Sequence, residues 1–192
     1  MANKVLHDEM DGTPAQITLA DIGADFNPTA ANDLRHATAT DTEVQLDLTS
    51  LADGAYRQSA KFDFGAVRAP AYHVRAAIEW AAGVAAGDLI EIYVAFSQHS
   101  TAGTANPAGL SGADAAYAGY NANADASIKQ VKIALVGVAT ADATGTIQII
   151  EFGTFNPLER YGIVVVSATG NALHSDAVEM HIVLDPIFQE IQ

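Results

Sequence analysis

The stretch that decides the fold is residues 72–96, which read YHVRAAIEWAAGVAAGDLIEIYVAF. Its first part alternates apolar and polar residues, with Tyr72, Val74, Ala76, Ile78 and Trp80 on one side and His73, Arg75 and Glu79 on the other. Because strand side chains alternate between two faces, this pattern predicts a half-buried strand. Residues 83–88 have the composition of a turn, and residues 89–96 alternate in the same way. We therefore predict a hairpin with one apolar face, which includes the chain's single tryptophan and needs a second sheet to bury it.

Outside this stretch, similar patterns predict about six further strands, separated by turn-forming residues. They are residues 43–51, 56–64, 127–140, 146–155, 161–168 and 176–184. No convincing amphipathic helix accompanies them. The spacing is typical of an all-β, antiparallel two-sheet β-sandwich, and about eight strands favour a jelly roll over an immunoglobulin-like sandwich. Residues 163–166 are apolar on both faces, which predicts a central strand that is covered on two sides or lies at an interface.

The first 41 residues differ in composition from the rest, because acids are frequent there and no long periodic element appears. We predict an N-terminal extended arm over residues 1–41 and a β-sandwich domain over residues 42–192. Two interpretations of the arm stay open: a poorly ordered leader, or a segment that orders on a neighbouring subunit with residues 17–22 as an added strand. The second interpretation makes partner contacts of four apolar residues, Ile17, Leu19, Ile22 and Phe26.

A long loop over residues 98–127 interrupts the strand pattern. Loops of this length are uncommon in compact domains and are usually functional or disordered. The loop contains few aliphatic residues and two tyrosines. Either the tyrosines only hold an insert against the sandwich, or the loop is a contact surface for a partner, since tyrosine is favoured at interfaces. The contact candidates in the loop are Leu110, Tyr117 and Tyr120.

The charge balance restricts the class of partner. The chain has 192 residues, of which 9 are Lys or Arg and 23 are Asp or Glu, giving a formal charge of −14. This argues against binding to nucleic acid or to an anionic membrane, both of which require clustered basic residues. It suits a protein with a basic partner, or one that stays soluble at high concentration. The absence of cysteine excludes disulfides and thiolate metal sites.

The histidines show no metal-ligand spacing. We assign His174 and Asp176 to turn and capping bonds, and we expect His73 and His181 on the outer faces of strands, solvated or paired across the sheet. Two carboxylates, Glu79 and Glu91, lie on the predicted hairpin, where a surface pair of like charges is favoured over glycosidase chemistry. Residues 142–144 suit a plain turn better than a calcium loop. We expect a protein without enzymatic activity, cofactor or metal.

Four segments carry a resemblance to a known family. They are DLTSLADGAYRQSAK (residues 47–61), NPAGLSGADAAY (106–117), FNPLERYG (155–162) and HSDAVEM (174–180). In combination, over roughly residues 45–190, the chain resembles small virion structural proteins of tailed double-stranded-DNA bacteriophages. The resemblance implies a virion component, made in the cytoplasm of the bacterial host, with no enzymatic residues. It points to a decoration or cement protein on the head, which contacts the major capsid protein or other virion proteins and stabilises joints between capsomers.

Two other functions stay open at this point. The first is a tail, neck or fibre-base component of the virion. The second is a carbohydrate-binding module with Tyr117 and Tyr120 as stacking residues, because the parity of Trp80 places it in the core. Within the virion we also expect a homo-oligomer, in which a neighbouring copy covers residues 163–166; a trimer matches the three-fold joints of a capsid.

Overall fold

The computed structural model describes residues 16–24, 26–36, 41–131, 133–176 and 178–187. Within these ranges the regular structure is mostly β, with eleven strands, one short α-helix and a 3-10 helix at Pro107–Gly109. In chain order the strands and the α-helix are β1 (Gln16–Ala20), β2 (Asp41–Gln45), β3 (Tyr56–Gln58), β4 (Phe62–Asp63), β5 (Ala71–Glu79), β6 (Leu89–Ser97), β7 (Ala115–Ala116), α1 (Ala124–Ile128), β8 (Ile133–Val138), β9 (Ile147–Phe155), β10 (Tyr161–Thr169) and β11 (His181–Ile187).

The strands form two sheets that enclose one main core. The first sheet has five strands in the order β2-β1-β11-β5-β9, and the second has the order β7-β3-β10-β6-β8, with β4 also paired to β10. Only β1 and β2 pair in parallel among the described strands. The predicted all-β sandwich is therefore confirmed. The number of strands exceeds the predicted eight for two reasons: β1 and β7 form within the predicted arm and loop, and the strand predicted over residues 56–64 divides into β3 and β4.

The predicted central hairpin is wrong in its pairing. Both strands exist, but β5 belongs to the five-stranded sheet and β6 to the six-stranded sheet. Their apolar residues, among them Ile78 and Ile92, meet across the core instead of lying side by side. Two strands with one apolar face each can bury those faces against one another, and the alternation alone does not distinguish this arrangement from a hairpin. Trp80 is fully buried in this core, as predicted.

Part of the predicted N-terminal arm belongs to the sandwich. Strand β1 pairs with β2 on one side and with β11 on the other, and Ile17 and Leu19 are buried in the main core. The boundary predicted near residue 41 therefore separates two strands that are hydrogen-bonded to each other. Residues 1–15, 25 and 37–40 of the predicted arm lie outside the described residues.

Residues 26–36 follow β1 and cross the outer face of the five-stranded sheet; we call them the strap. Leu34 of the strap packs on Ala77 of β5 and Val183 of β11. This cover explains a second error, because His181, predicted on a solvated face, is fully buried. His73, which the strap leaves half-exposed, pairs across the sheet with Glu151 at 2.8 Å, as predicted.

Four predicted strands are shorter than expected. The strand predicted over residues 43–51 ends at Gln45, and the one predicted over residues 56–64 divides into β3 and β4. Residues 127–140 contain the end of α1 and β8, and β11 begins at His181 after a turn that includes Val178 and Glu179. Strand β10 is the central, doubly covered strand that its apolar run predicts.

The second cover of β10 comes from the chain itself. Residues 98–131, here called the capping segment, lie on the outer face of the six-stranded sheet. Their buried apolar residues pack on Ile163 and Val165 of β10; they include Ala108, Leu110, Tyr117, Ile128 and Val131. The apolar outer face of residues 163–166 therefore needs no neighbouring copy to shield it.

Candidate functional site

The capping segment is fastened to the six-stranded sheet by the partly buried Lys61 ammonium group. The Lys61 Nζ donates to the carbonyl oxygens of His99, Thr101 and Thr104 at 2.9, 2.8 and 2.9 Å, and lies 3.2 Å from the Ser97 Oγ. Among the described residues no carboxylate takes part in this cage, and burial lowers the pKa of Lys61. The carbonyl dipoles of the loop replace the lysine's hydration, so the start of the segment is held in one conformation.

Tyr117 anchors the middle of the segment. Its buried hydroxyl donates to the Ala108 carbonyl at 2.6 Å, and its ring packs edge-on against Tyr56 at 6.2 Å. Burial raises the pKa of Tyr117. Nearby, the Arg57 guanidinium donates to both carboxylate oxygens of Asp114 at 2.7 and 2.8 Å, a bidentate pair that fixes β7 beside β3.

The tip of the segment is held in a tight turn. Of the five described non-glycine residues with positive φ, four lie in the capping segment: Ala105, Ala108, Asn121 and Ala122. Gly119 also has φ +69°, and a Cβ there would lie 2.5 Å from the Asn123 carbonyl oxygen. The turn presents Tyr120 with 50% of its surface exposed. Such costly backbone conformations persist where the surroundings enforce them, often at functional sites.

Separate replacement of Tyr117 and Tyr120 should show that Tyr117 holds the capping segment in place and that Tyr120 contributes little to stability. Tyr117→Ala removes a buried ring and leaves the Ala108 carbonyl without its donor, so we expect a loss of about 3 kcal/mol in the free energy of unfolding. Tyr120→Ala, at an exposed position, should change it by less than about 0.5 kcal/mol. Chemical denaturation followed by circular dichroism measures both. Equal effects of the two substitutions would contradict the anchoring role of Tyr117.

The structure divides the predicted partner contacts into two groups. Ile17, Leu19, Leu110 and Tyr117 are buried in the protein's own core. The Phe26 ring is half-buried, with the Arg35 guanidinium 5.0 Å above it. Of the seven candidates, Ile22 and Tyr120 are the exposed ones; Ile22 follows β1 of the five-stranded sheet, and Tyr120 lies in the capping segment.

An exposed apolar surface that sequence reasoning missed lies where the two sheets meet. We call Val136 and Val138 of β8 and Ile149 of β9 the apolar edge; they are 49%, 58% and 49% exposed. Among the described strands, β8 and β9 are the last of their respective sheets, so each has one side without a described neighbouring strand. They line a shallow groove of about 450 Å³.

Gly137 lets β8 and β9 approach each other closely at this groove. A Cβ at Gly137 would lie 2.6 Å from the Phe152 Cε1. Residues 133–138 read IALVGV and contain no charged side chain, which is unusual for an edge strand, since proteins commonly protect such edges with charge. This missing charge is the signal in the sequence that could have identified the surface.

The carboxylates singled out from the sequence do not form a catalytic pair. Glu79 lies at the outer face of the five-stranded sheet and Glu91 on the opposite sheet, because β5 and β6 do not form a hairpin. Glu79 instead lines a polar cleft of about 640 Å³ together with Asp176 and Glu179. Burial raises the pKa of Glu79. The Glu179 carboxylate accepts a hydrogen bond from the Thr29 amide, which holds the strap at this cleft.

The turn before β11 contains the bonds expected of it. The Asp176 amide donates to the His174 Nδ1 at 3.1 Å, and the Asp176 carboxylate accepts from the Val178 amide at 3.1 Å. Asp142 likewise accepts from the following amide at 2.7 Å, in the turn predicted there. The described part of the chain contains no group of three or more residues arranged to hold a metal ion. It also contains no helix long and apolar enough to cross a membrane.

The chain was compared with protein-family models, with curated proteins and with solved structures. No family model, no curated protein and no solved structure matches it.

Proposed function

We propose that this protein is a non-enzymatic structural component of a bacteriophage virion, a decoration or cement protein on the head that stabilises joints between capsomers. The observation that carries the proposal is the apolar edge: an uncharged, exposed strand at the side of a sandwich whose chain has a formal charge of −14. Exposed apolar surface rimmed by polar residues commonly marks a protein–protein contact. The resemblance of residues 45–190 to virion structural proteins supplies the class of partner.

We also infer that the sandwich is a jelly roll with eight principal strands. Without the short or flanking strands β2, β4 and β7, the sheets have the orders β1-β11-β5-β9 and β3-β10-β6-β8. The connections from β5 to β6, β8 to β9, β9 to β10 and β10 to β11 all pass from one sheet to the other. This pattern supports a jelly roll, an architecture found in viral capsid and lectin domains. The likeness of architecture by itself does not determine function.

The mode of attachment that suits the apolar edge is strand addition. An extended segment of the major capsid protein would pair with the free side of β8 through main-chain hydrogen bonds, and its alternate side chains would contact Val136 and Val138. Because β8 itself carries no charge, such docking would bury no carboxylate of that strand. Glu151 lies beside the groove, so a basic residue in the partner segment would be favoured there.

A charge placed on the apolar edge should prevent attachment. Val136→Lys, which adds an ammonium at the docking strand, should reduce binding to shells that lack the protein by tenfold or more. Leu158→Lys is the matched control, because Leu158 is similarly exposed but lies in the β9–β10 connection. Co-sedimentation with purified shells measures the bound amount. Equal binding of the two variants would overturn the role of the apolar edge.

The same assay distinguishes a head protein from a tail, neck or fibre-base component. The proposal requires binding to purified heads, and binding to isolated tails alone would assign the protein to the second class. A homotrimer at the three-fold joints remains part of the proposal on grounds of capsid symmetry. A reconstruction of the decorated particle that shows isolated copies would exclude the trimer without excluding the attachment.

Carbohydrate binding is the second candidate, and the exposed ring of Tyr120 on its rigid turn favours it. Sugar-binding sites use exposed aromatic faces held in place before the ligand arrives. Under this hypothesis Tyr120→Ala abolishes binding to a glycan array and leaves shell binding unchanged. Under the virion hypothesis Val136→Lys alone impairs shell binding, so the two substitutions separate the functions.

A further inference from the structure

The strap is attached to the five-stranded sheet at several points along its length. The Asn27 amide donates to the Val178 carbonyl at 2.9 Å, and the Asn32 side chain hydrogen-bonds to the Glu179 carboxylate. Further along, the Leu34 carbonyl accepts from Gln16 Nε2 at 3.2 Å. Between these points the strap covers apolar surface of β5 and β11.

One attachment depends on the protonation state of a buried imidazole. The Leu34 amide donates to the His181 Nε2 at 3.0 Å, while the His181 Nδ1 lies 2.7 Å from the Glu179 carbonyl oxygen. Nε2 must therefore be the acceptor, and Nδ1 must carry the ring's proton. The Phe26 ring, 5.2 Å from the imidazole, closes the site from the strap side. Both ring nitrogens are used, and only the neutral imidazole satisfies both partners.

We propose that His181 is a pH-sensitive latch, which holds the strap closed when neutral and releases it when a second proton occupies Nε2. A proton at Nε2 would face the Leu34 N–H donor, so the hydrogen bond would be replaced by a repulsion between two donors. The fully buried imidazolium would then gain hydration by displacement of the strap. The latch is independent of the function proposed above.

The charges around His181 act in opposite directions, because both carboxylates and guanidinium groups lie near the ring. The strap contributes Asp33 and Arg35, which pair with each other at 2.8 Å. Arg75 of β5 pairs with Asp185 of β11 at 2.7 Å, and Glu179 is engaged with the strap. Each nearby cation is thus close to a carboxylate, and none of these carboxylates is hydrogen-bonded to the imidazole.

Burial lowers the pKa of His181 from its ordinary value of 6.5 and is the largest effect. The hydrogen bond with the Glu179 carbonyl and the charge of Asp33 act in the opposite direction, and Arg35 and Arg75 add to the lowering. Because the pKa of His181 is lower in the closed state than in the open state, the closed state has its full stability at pH values above 6.5, the ordinary pKa of the imidazole. This stabilisation is lost as the pH falls toward the pKa of the closed state. In the open state the imidazole has its ordinary pKa, so opening should increase by up to about tenfold per pH unit below 6.5.

Release would uncover Ala77 and Val183, which are fully buried under Leu34. The absence of cysteine from the chain allows a single engineered thiol to report this exposure. We would place cysteine at Ala77, under the strap, and in a second variant at Ala76, which is also fully buried but faces the main core between the sheets. The two positions are neighbours on β5. A difference between their labelling rates therefore reports release of the strap and not unfolding of the whole protein.

The experiment measures the rate of thiol labelling from pH 7.5 to pH 5.0, divided at each pH by the rate of a free cysteine peptide. For Ala77→Cys we expect this normalised rate to rise by about tenfold or more as the pH falls. For Ala76→Cys it should stay constant while the fold persists. In the double variant Ala77→Cys/His181→Gln the rise should disappear, because the glutamine amide can accept from the Leu34 amide without titrating.

Three outcomes would overturn the latch: a normalised rate at position 77 that changes less than twofold, a parallel rise at position 76, or an unchanged rise in the His181→Gln background. Hydrogen exchange of the Leu34 amide in the unmodified protein gives a second measurement that needs no substitution. After correction for intrinsic exchange, its protection should fall over the same pH range, and constant protection would contradict the proposal.

Discussion

A chain without residues 2–20 is expected to lose most of its folded stability, although these residues were predicted to form an arm outside the sandwich. Strand β1 is an interior strand, hydrogen-bonded to β2 and β11. Burial of Ile17 and Leu19 alone is worth roughly 3–6 kcal/mol, which compares with a total of about 5–15 kcal/mol for a typical domain. Removal of β1 also leaves the ladder groups of β11 without partners.

A second truncation that lacks only residues 2–15 is the matched control, because it retains β1. The difference between the two truncated chains in their free energy of unfolding isolates the contribution of the strand. Thermal and denaturant unfolding followed by circular dichroism are suitable measurements. If both chains unfold at the same denaturant concentration, β1 contributes no net stability, and the hypothesis of a separable arm is restored.

Trp80→Ala is expected to reduce the free energy of unfolding by about 3–5 kcal/mol, the usual cost of removing a buried aromatic side chain. Trp80 is fully buried between the sheets, and its backbone bridges to Leu173 in the turn that precedes β11. The indole Nε1 has no hydrogen-bond partner among the described residues. Trp80→Phe keeps most of the ring volume and removes this unpaired donor, so we expect it to cost clearly less than the alanine substitution.

Fluorescence of the unmodified protein provides an independent check, since Trp80 is the single tryptophan of the chain. The folded protein should emit at short wavelength and resist quenching by iodide, and unfolding should abolish both properties. Red-shifted emission that iodide quenches under native conditions would show that the indole is accessible, which contradicts its position in the core.

The successes and errors of the sequence-based predictions have one origin. Alternation identifies which residues of a strand share a face, and it correctly placed Tyr72, Ile78 and Trp80 in the core. It does not identify the surface on which that face packs. The β5–β6 pair was therefore assigned to a hairpin, and His181 to a solvated face, because each assignment depends on segments distant in sequence.

Prediction of the candidate contacts failed for a related reason. An apolar residue in a segment without periodicity, such as Leu19 or Leu110, can serve the protein's own core as readily as a partner. The apolar edge escaped detection because the exposure of Val136 and Val138 depends on β8 being the last strand of its sheet. Strand order is a property of the whole fold and leaves little trace in the local pattern.

The sequence by itself determined that the chain is all-β, that residues 72–80 and 89–96 each contribute one face to an apolar core, and that residues 163–166 need cover on both faces. These properties follow from the period of side chains along a strand, which is a local quantity. Only the tertiary structure decided which sheet each strand joins, that the capping segment supplies the second cover of β10, and that the strap encloses His181. These features depend on contacts between residues far apart in the chain, and such contacts form only when the complete set of strands packs together.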